Sequence, residues 1–246
     1  MEADERTLWN RKYSEHSHTS LEPDPFLVSA YSESIAGSAP GSALDVAGGV
    51  GRHTLWLAER GWKVKLVDVS EIGIEFARKN LMERRDGAQR GKPQGISVDR
   101  SRPRPRLPRV PSKIVAQGKE VKAVVQPTGL PSGAGGGLEA PQAVELSVVN
   151  LEEVPDLGHA QYDLVLVFFY LQRSLFPALI SCLKPRGFLI YKTYTLEQQR
   201  FSGGPSHPMH LLKSNELLQA FASLQILYYH ETIRERGLAE LVARKP

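Results

Sequence analysis

Asp45, Gly49 and Gly51 lie in one short stretch, Leu44-Asp45-Val46-Ala47-Gly48-Gly49-Val50-Gly51-Arg52, and Asp68 follows Gly51 by seventeen positions. These types at this spacing suit the binding of a nucleoside. Glycines without a Cβ let the backbone come close to a ligand, and a carboxylate at the end of the next strand can accept hydrogen bonds from both ribose hydroxyls. A dinucleotide fingerprint would need a third glycine at position 54, where this chain has Thr54. The pattern therefore points to a nucleoside held without the pyrophosphate turn.

The elements around this loop alternate, as they do in a parallel sheet covered by helices. Strands are expected at Ala43–Ala47, Lys63–Val69, Val144–Val149, Tyr162–Phe169 and Phe188–Tyr194. Helices are expected at Arg52–Arg60, Glu71–Glu83, Leu175–Leu183 and Asn215–Ala222, with Ser70 and Ser214 as N-caps. Lys184-Pro185-Arg186-Gly187 reads as a turn into the fifth strand. Two apolar runs, Leu224–Tyr229 and Leu238–Ala243, are parted by Glu235-Arg236-Gly237 and read as an antiparallel hairpin. The expected fold is α/β: a Rossmann-like, doubly wound, seven-stranded sheet in three layers, mostly parallel and closed by that hairpin.

D-x-A-x-G-x-G-R followed by V-D-V-S resembles the S-adenosylmethionine site of class I methyltransferases. The likeness runs from about Trp9 to the C-terminus, omitting residues 85–143. In detail the chain resembles the small methyltransferase-domain proteins of the tellurite-resistance and thiopurine methyltransferase group. The resemblance implies S-adenosyl-L-methionine as cofactor, with Asp45, Ala47, Gly49 and Gly51 at its methionine part and Asp68 at its ribose. It places Val69 toward the adenine, together with Asn150 and Leu151, which stand where the family has Asp-Leu. An Asn carbonyl can still accept from the adenine amine. The resemblance also implies that the N-terminal W-x-x-x-Y segment, here Trp9 and Tyr13, closes over the cofactor.

On the acceptor side, Phe168, Phe169 and Tyr170 stand at the carboxyl end of the fourth strand, where open α/β sheets bind ligands, and Phe168 is assigned to the cofactor. Tyr170, Arg173, Tyr194 and His207 are the candidate catalytic residues, and His210 shares the Gly- and Pro-rich loop of His207. The expected function is methyl transfer to a small-molecule acceptor by in-line displacement, which needs positioning more than a strong acid or base. No metal cluster is visible. A protein that binds S-adenosylmethionine or S-adenosylhomocysteine without catalysis is the alternative. An NAD-dependent oxidoreductase is a third reading, against which Thr54 stands.

Charge separates the remainder of the chain from one segment. The 246 residues carry 31 Lys and Arg against 27 Asp and Glu, a formal net charge of +4. Twelve Lys or Arg and three acids fall between Arg84 and Lys122, so that segment is +9 and the rest is −5. Eight of the seventeen prolines lie between Pro93 and Pro141. The domain organisation expected is a single methyltransferase domain, 1–84 and 144–246, interrupted by a disordered Pro/Gly/Arg-rich insertion, 85–143, with a possible short strand at Lys119–Val125. The insertion has no aromatic residue for base stacking, so a nucleic-acid partner is not inferred, although its charge leaves that open. A single cysteine, Cys182, placed in the core, and an N-terminus without a signal-like apolar run lead us to expect a cytoplasmic protein. No apolar stretch is long enough to span a bilayer, so no membrane association is expected.

Overall fold

Alternation along one strand divides the core in two. In β4 (Tyr162–Phe168), Leu164, Leu166 and Phe168 point to one face of the sheet while Val165 and Val167 point to the other, and all five are buried. The computed structural model describes residues 4–15, 18–89, 144–153 and 156–246. Around β4 the sheet has the order β3-β2-β1-β4-β5-β7-β6, with β1 at Ser42–Val46, β2 at Lys63–Asp68, β3 at Val144–Val148, β5 at Leu183–Tyr194, β6 at Gln225–Thr232 and β7 at Leu238–Arg244. The first five strands are parallel, and β7 runs antiparallel between β5 and β6. This is the expected seven-stranded architecture.

One face is covered by α2 (Pro25–Ser34) and α3 (Arg52–Ala58), whose Leu27 and Leu57 pack with Trp62, Leu164 and Leu166. The other face receives α5 (Phe176–Cys182) and α6 (Glu216–Ala220), through Leu179, Leu217 and the neighbouring Phe221. Cys182 is fully buried there, and burial pushes its thiol up to about 12, so it behaves as a small core residue. Helix α4 (Glu71–Gln89) lies over β2 and β3 with Ile74 and Ala77 against Leu66. It runs on through residues 85–89, the start of the segment read as an insertion. The rest of that segment, with the strand suggested at 119–125, lies outside the described residues.

Three local readings are corrected. Lys184–Gly187 belongs to β5 rather than to a turn, because Leu183 already pairs with Tyr162 and Arg186 and Gly187 exchange backbone hydrogen bonds with Lys245. Ser214 does not cap α6; its hydroxyl donates to Glu231, and Asn215, at φ +59°, occupies the cap position. Helix α2 was not anticipated, although Asp24-Pro25 announces it: the Asp24 carboxylate accepts from the Phe26 N–H at 2.9 Å and proline takes the first helical position.

Asp24 also anchors α2 to the sheet. Lys192 of β5 is 9% exposed and lies 3.0 Å from Asp24 Oδ1 and 3.0 Å from Oε1 of Glu240, its partner across the β5–β7 ladder. The Asp24 N–H in turn donates to His53 Nε2 at 3.3 Å. Burial, followed by the charges of Arg52 and Lys192, keeps that imidazole well below its ordinary pKa and therefore neutral. Replacing Lys192 by Met should destabilise the fold by about 3–5 kcal/mol in urea denaturation, because the buried Asp24 and the partly buried Glu240 lose their cation, and Lys192→Arg should recover part of the loss. Equal stability of Lys192→Met and wild type would show that the cluster is solvated.

Candidate active site

Parallel pairing puts the carboxyl ends of β1 and β2 at one edge, with Val46 opposite Val67. After β1 the chain turns through Ala47–Gly51 with left-handed backbone at Ala47 (φ +53°), Gly49 (+55°) and Gly51 (+80°). A side chain at Gly49 would collide with the Tyr13 hydroxyl. The turn is tied to β2 twice. Gly48 N–H donates to the Val67 carbonyl at 3.3 Å, and Gly49 N–H donates to Asp68 Oδ2 at 2.8 Å.

Asp68 is 5% exposed, and its other oxygen accepts from the Ser70 N–H at 2.8 Å. Burial raises its pKa, while the backbone donors from Ser70, Gly49 and Val69 pull it back. Three backbone donors leave the carboxylate with acceptor capacity to spare. Asp45 accepts from Thr54 Oγ1 at 2.7 Å. Thr54 thus fills, with a fully buried side chain, the place where a dinucleotide loop has glycine. Burial raises Asp45 to about 6, against the opposing effects of Thr54 and Arg52.

Helix α1 (Glu5–Ser14) lays Tyr13 into this hollow. The ring is 6% exposed and sits in the field of Asp68, Arg52 and Asp45. Position 73 explains how it fits: a Cβ on Gly73 would lie 2.9 Å from Tyr13 Cε2, so the residue that a capping box would make Glu has to be glycine. Ser70 Oγ accepts from the Gly73 N–H at 3.0 Å and donates to Asn10 Oδ1 at 2.6 Å, which fixes α1 to the start of α4. Tyr13, one of the two aromatic residues of the W-x-x-x-Y segment, thus lies directly against the glycine turn.

The remaining candidates fall into separate groups. Val69 is half-exposed beside Asp68, whereas Leu151 is a core residue. Asn150 is occupied locally: its carbonyl accepts from the Glu152 N–H at 3.1 Å and its amide donates to Glu153 at 2.9 Å. Phe168 points into the core between Phe26 and His53. The half-exposed residue at that strand end is Phe169, at φ +58°, a conformation costly for a bulky side chain and found most often at functional sites. Its ring meets Tyr194 at 5.2 Å between centroids. The Tyr194 hydroxyl accepts from Arg236 Nη1 at 2.9 Å.

Tyr170 donates to Gln172, and its carbonyl accepts from the Tyr191 hydroxyl at 2.9 Å. Burial, with the negative charges of Glu152, Glu5 and Asp68, raises the Tyr170 phenol and keeps it protonated. Arg173 is a clasp. Nε and Nη2 take Glu216 at 2.6 and 3.0 Å, Nη1 takes the Met209 carbonyl at 2.7 Å, and Nη2 also takes that of Leu211 at 2.8 Å. It holds the 208–212 loop in place. His207 is exposed and caps its own short turn through Nδ1 at 3.3 Å from the Met209 N–H, with the His210 ring 6.0 Å away. Phe169 stands at the strand end where the sequence places it, whereas Arg52 and Lys192 were not singled out as members of this edge. A lysine inside the apolar run of β5 was the signal available for Lys192. No group of three metal-ligating side chains occurs among the described residues.

No family model matches the chain, and no curated protein matches it. Solved structures do. TehB from Haemophilus influenzae aligns with a TM-score of 0.57 over 97% of this chain and 67% of that one, at 14% identity. A Burkholderia thailandensis 1,6-didemethyltoxoflavin-N1-methyltransferase, solved with 1,6-didemethyltoxoflavin and S-adenosylhomocysteine, aligns with a TM-score of 0.55 over 98% and 86%, at 14% identity. The [4+2]-cyclase SpnF aligns with a TM-score of 0.55 over 90% and 80%, at 15% identity. The chain therefore has the Rossmann-like α/β fold of S-adenosylmethionine-dependent methyltransferases, which TehB and the cyclase share. At these identities the likeness establishes architecture, and the cyclase shows that the architecture alone does not name a reaction.

The raised pKa of Asp45 fixes the sign of a pH effect. The folded state binds the proton more tightly than the unfolded chain, so Asp45 penalises folding at neutral pH and the penalty lifts as pH falls through about 6 toward 4. Relative to Asp45→Asn, the wild-type protein should gain up to about 3 kcal/mol in denaturation experiments between pH 7 and pH 4. A difference independent of pH would mean that Asp45 titrates as an ordinary carboxyl.

Proposed function

We propose that the protein is an S-adenosylmethionine-dependent methyltransferase acting on a small-molecule acceptor. The observation that carries the reading is the Asp68 carboxylate, buried, bonded to the Gly49 N–H and set beside a loop without side chains at positions 48, 49 and 51. Its donor set fits the group. An anionic acceptor with unused acceptor capacity suits a ribose diol, and the Cβ-free backbone at positions 49 and 73, against which Tyr13 now packs, suits the amino-acid part once Tyr13 moves aside.

When bound, the cofactor supplies an electrophilic methyl group on sulfur. The protein's own residues supply placement. Asp68 orients the nucleoside. Asp45 and Thr54 hold the turn in shape, and Tyr13 with α1 excludes water from above. Phe169, Tyr170 and Tyr194 line the edge from which an acceptor atom approaches in line. Arg173, through Glu216 and two carbonyls, positions the loop that borders this edge. Tyr170 is held protonated and Arg173 is engaged, so neither serves as a base, which suits an acceptor that loses its proton readily or to water.

The non-catalytic binding reading keeps one supporting observation, the local engagement of Asn150, which leaves the adenine side with fewer polar groups than the family pattern. An oxidoreductase reading is opposed by Thr54 and its bond to Asp45. No helix among the described residues is long and apolar enough to cross a membrane. Calorimetric titration with S-adenosylhomocysteine tests the proposal: wild type should bind, and Asp68→Ala should weaken binding by about 1.5–3 kcal/mol. Unchanged affinity in Asp68→Ala would place the nucleoside elsewhere. Binding without methyl transfer to any of a broad panel of acceptors would favour the non-catalytic reading.

A further inference from the structure

Arg52, the first residue of α3, reaches from the glycine turn toward the end of β4. Its guanidinium lies 5.8 Å from the centroid of the Phe169 ring, and among the described residues it has no hydrogen bond and no ion pair. That is unusual for a half-buried arginine, because a cation withdrawn from water ordinarily finds an anion or a set of acceptors. The obvious internal partner, Asp45, is turned to Thr54 and drawn by burial toward its neutral form. Asp68 is bonded to Gly49 and Ser70. The other anions of the neighbourhood, Asp24 and Glu240, are taken by Lys192.

A second cation, Lys12, acts with Arg52 on the same neighbour, His18. Lys12 lies 4.1 Å over the Trp9 ring, and the His18 ring contacts the same indole at 5.7 Å. Burial first, then the charges of Lys12 and Arg52, lower the pKa of His18, which places all three groups in one field. Beside this field stands an aromatic wall, Phe169 against Tyr194, whose hydroxyl is held by Arg236. Phe169 is kept there in a left-handed backbone conformation, pinned by its N–H to the Lys192 carbonyl at 2.7 Å.

We propose that Arg52 is the anion-recognising residue of the acceptor pocket, and that the acceptor is a planar aromatic molecule bearing a carboxylate. Its ring lies against Phe169 and Tyr194 and its carboxylate enters the fork of Arg52. This assignment rests on the methyltransferase reading for its chemistry, but the recognition itself is a property of the arginine and the two rings. The bound methionine carboxylate is the one rival anion that could use the same guanidinium, and the experiment separates the two.

Wild-type protein saturated with S-adenosylhomocysteine is titrated calorimetrically with 2-naphthoate and with 2-naphthamide, which differ in charge and little in shape. Wild type should bind the naphthoate more tightly than the amide. Arg52→Gln should weaken naphthoate binding about tenfold or more, and Arg52→Lys less, while amide binding stays the same in all three proteins. Affinity for S-adenosylhomocysteine should be unchanged in Arg52→Gln. A fall in that affinity would overturn the proposal, because the guanidinium would then serve the cofactor. Naphthoate bound no better than the amide, or bound equally by wild type and Arg52→Gln, would overturn it too. If wild type fails to bind S-adenosylhomocysteine, the cofactor reading falls by itself, and the same titrations without nucleoside decide the arginine assignment by the same criteria.

Discussion

The hydrogen bond from the Gly49 amide to the Asp68 carboxylate is the constraint on which the rest of this site depends. It joins turns that leave two different strands, and it can form only because β1 and β2 are adjacent, parallel and in a register that brings Val46 level with Val67. A carboxylate that is almost wholly buried costs free energy unless donors meet it, and the donors here are backbone amides of the very turns whose shape matters. Tying the turn to the carboxylate in this way sets the left-handed residues Ala47, Gly49 and Gly51 in one arrangement.

At the opposite end of the edge, order comes from charge. Lys192 gathers Asp24 and Glu240, so a helix start, a central strand and its antiparallel neighbour converge on one ammonium group. The Lys192 carbonyl also holds Phe169 in its strained turn. Arg173 does similar work for the loop beyond β5 through four hydrogen bonds. Rigid scaffolding close to a mobile surface is what positional catalysis requires, since misplacing a reacting atom by an ångström is expensive.

Much of this was legible in the residues. Apolar runs located the seven described strands, and the glycine turn with its two acids marked the edge that carries the candidate site. What escaped the sequence depends on partners distant along the chain. Arg173 reads as a free cation until Glu216, forty-three positions later, is seen beside it. Lys184–Gly187 reads as a turn from Pro185 and Gly187, and becomes strand because Lys245 supplies the missing backbone partners. Phe168 and Phe169 are indistinguishable as letters, and only the reversal of backbone hand after β4 sends one into the core and the other to the surface. The Asp24-Pro25 pair carries the signal for α2 in its own letters, a side-chain cap followed by the residue suited to the first helical position.

Glycine at position 73 deprives the first turn of α4 of the reciprocal bond that a glutamate there would give. The helix start relies instead on a neighbour in space, Asn10, whose carbonyl receives both the Ser70 hydroxyl and, at 3.4 Å, the Ile72 amide. The leading segment and the beginning of α4 are thereby coupled thermodynamically: lifting α1 to admit a guest also uncaps α4, and reseating α1 restores the cap. Admission and fraying share one equilibrium, so a ligand that holds α1 down would be felt as added protection from hydrogen exchange at Ile72 and Gly73, on a helix it need never touch.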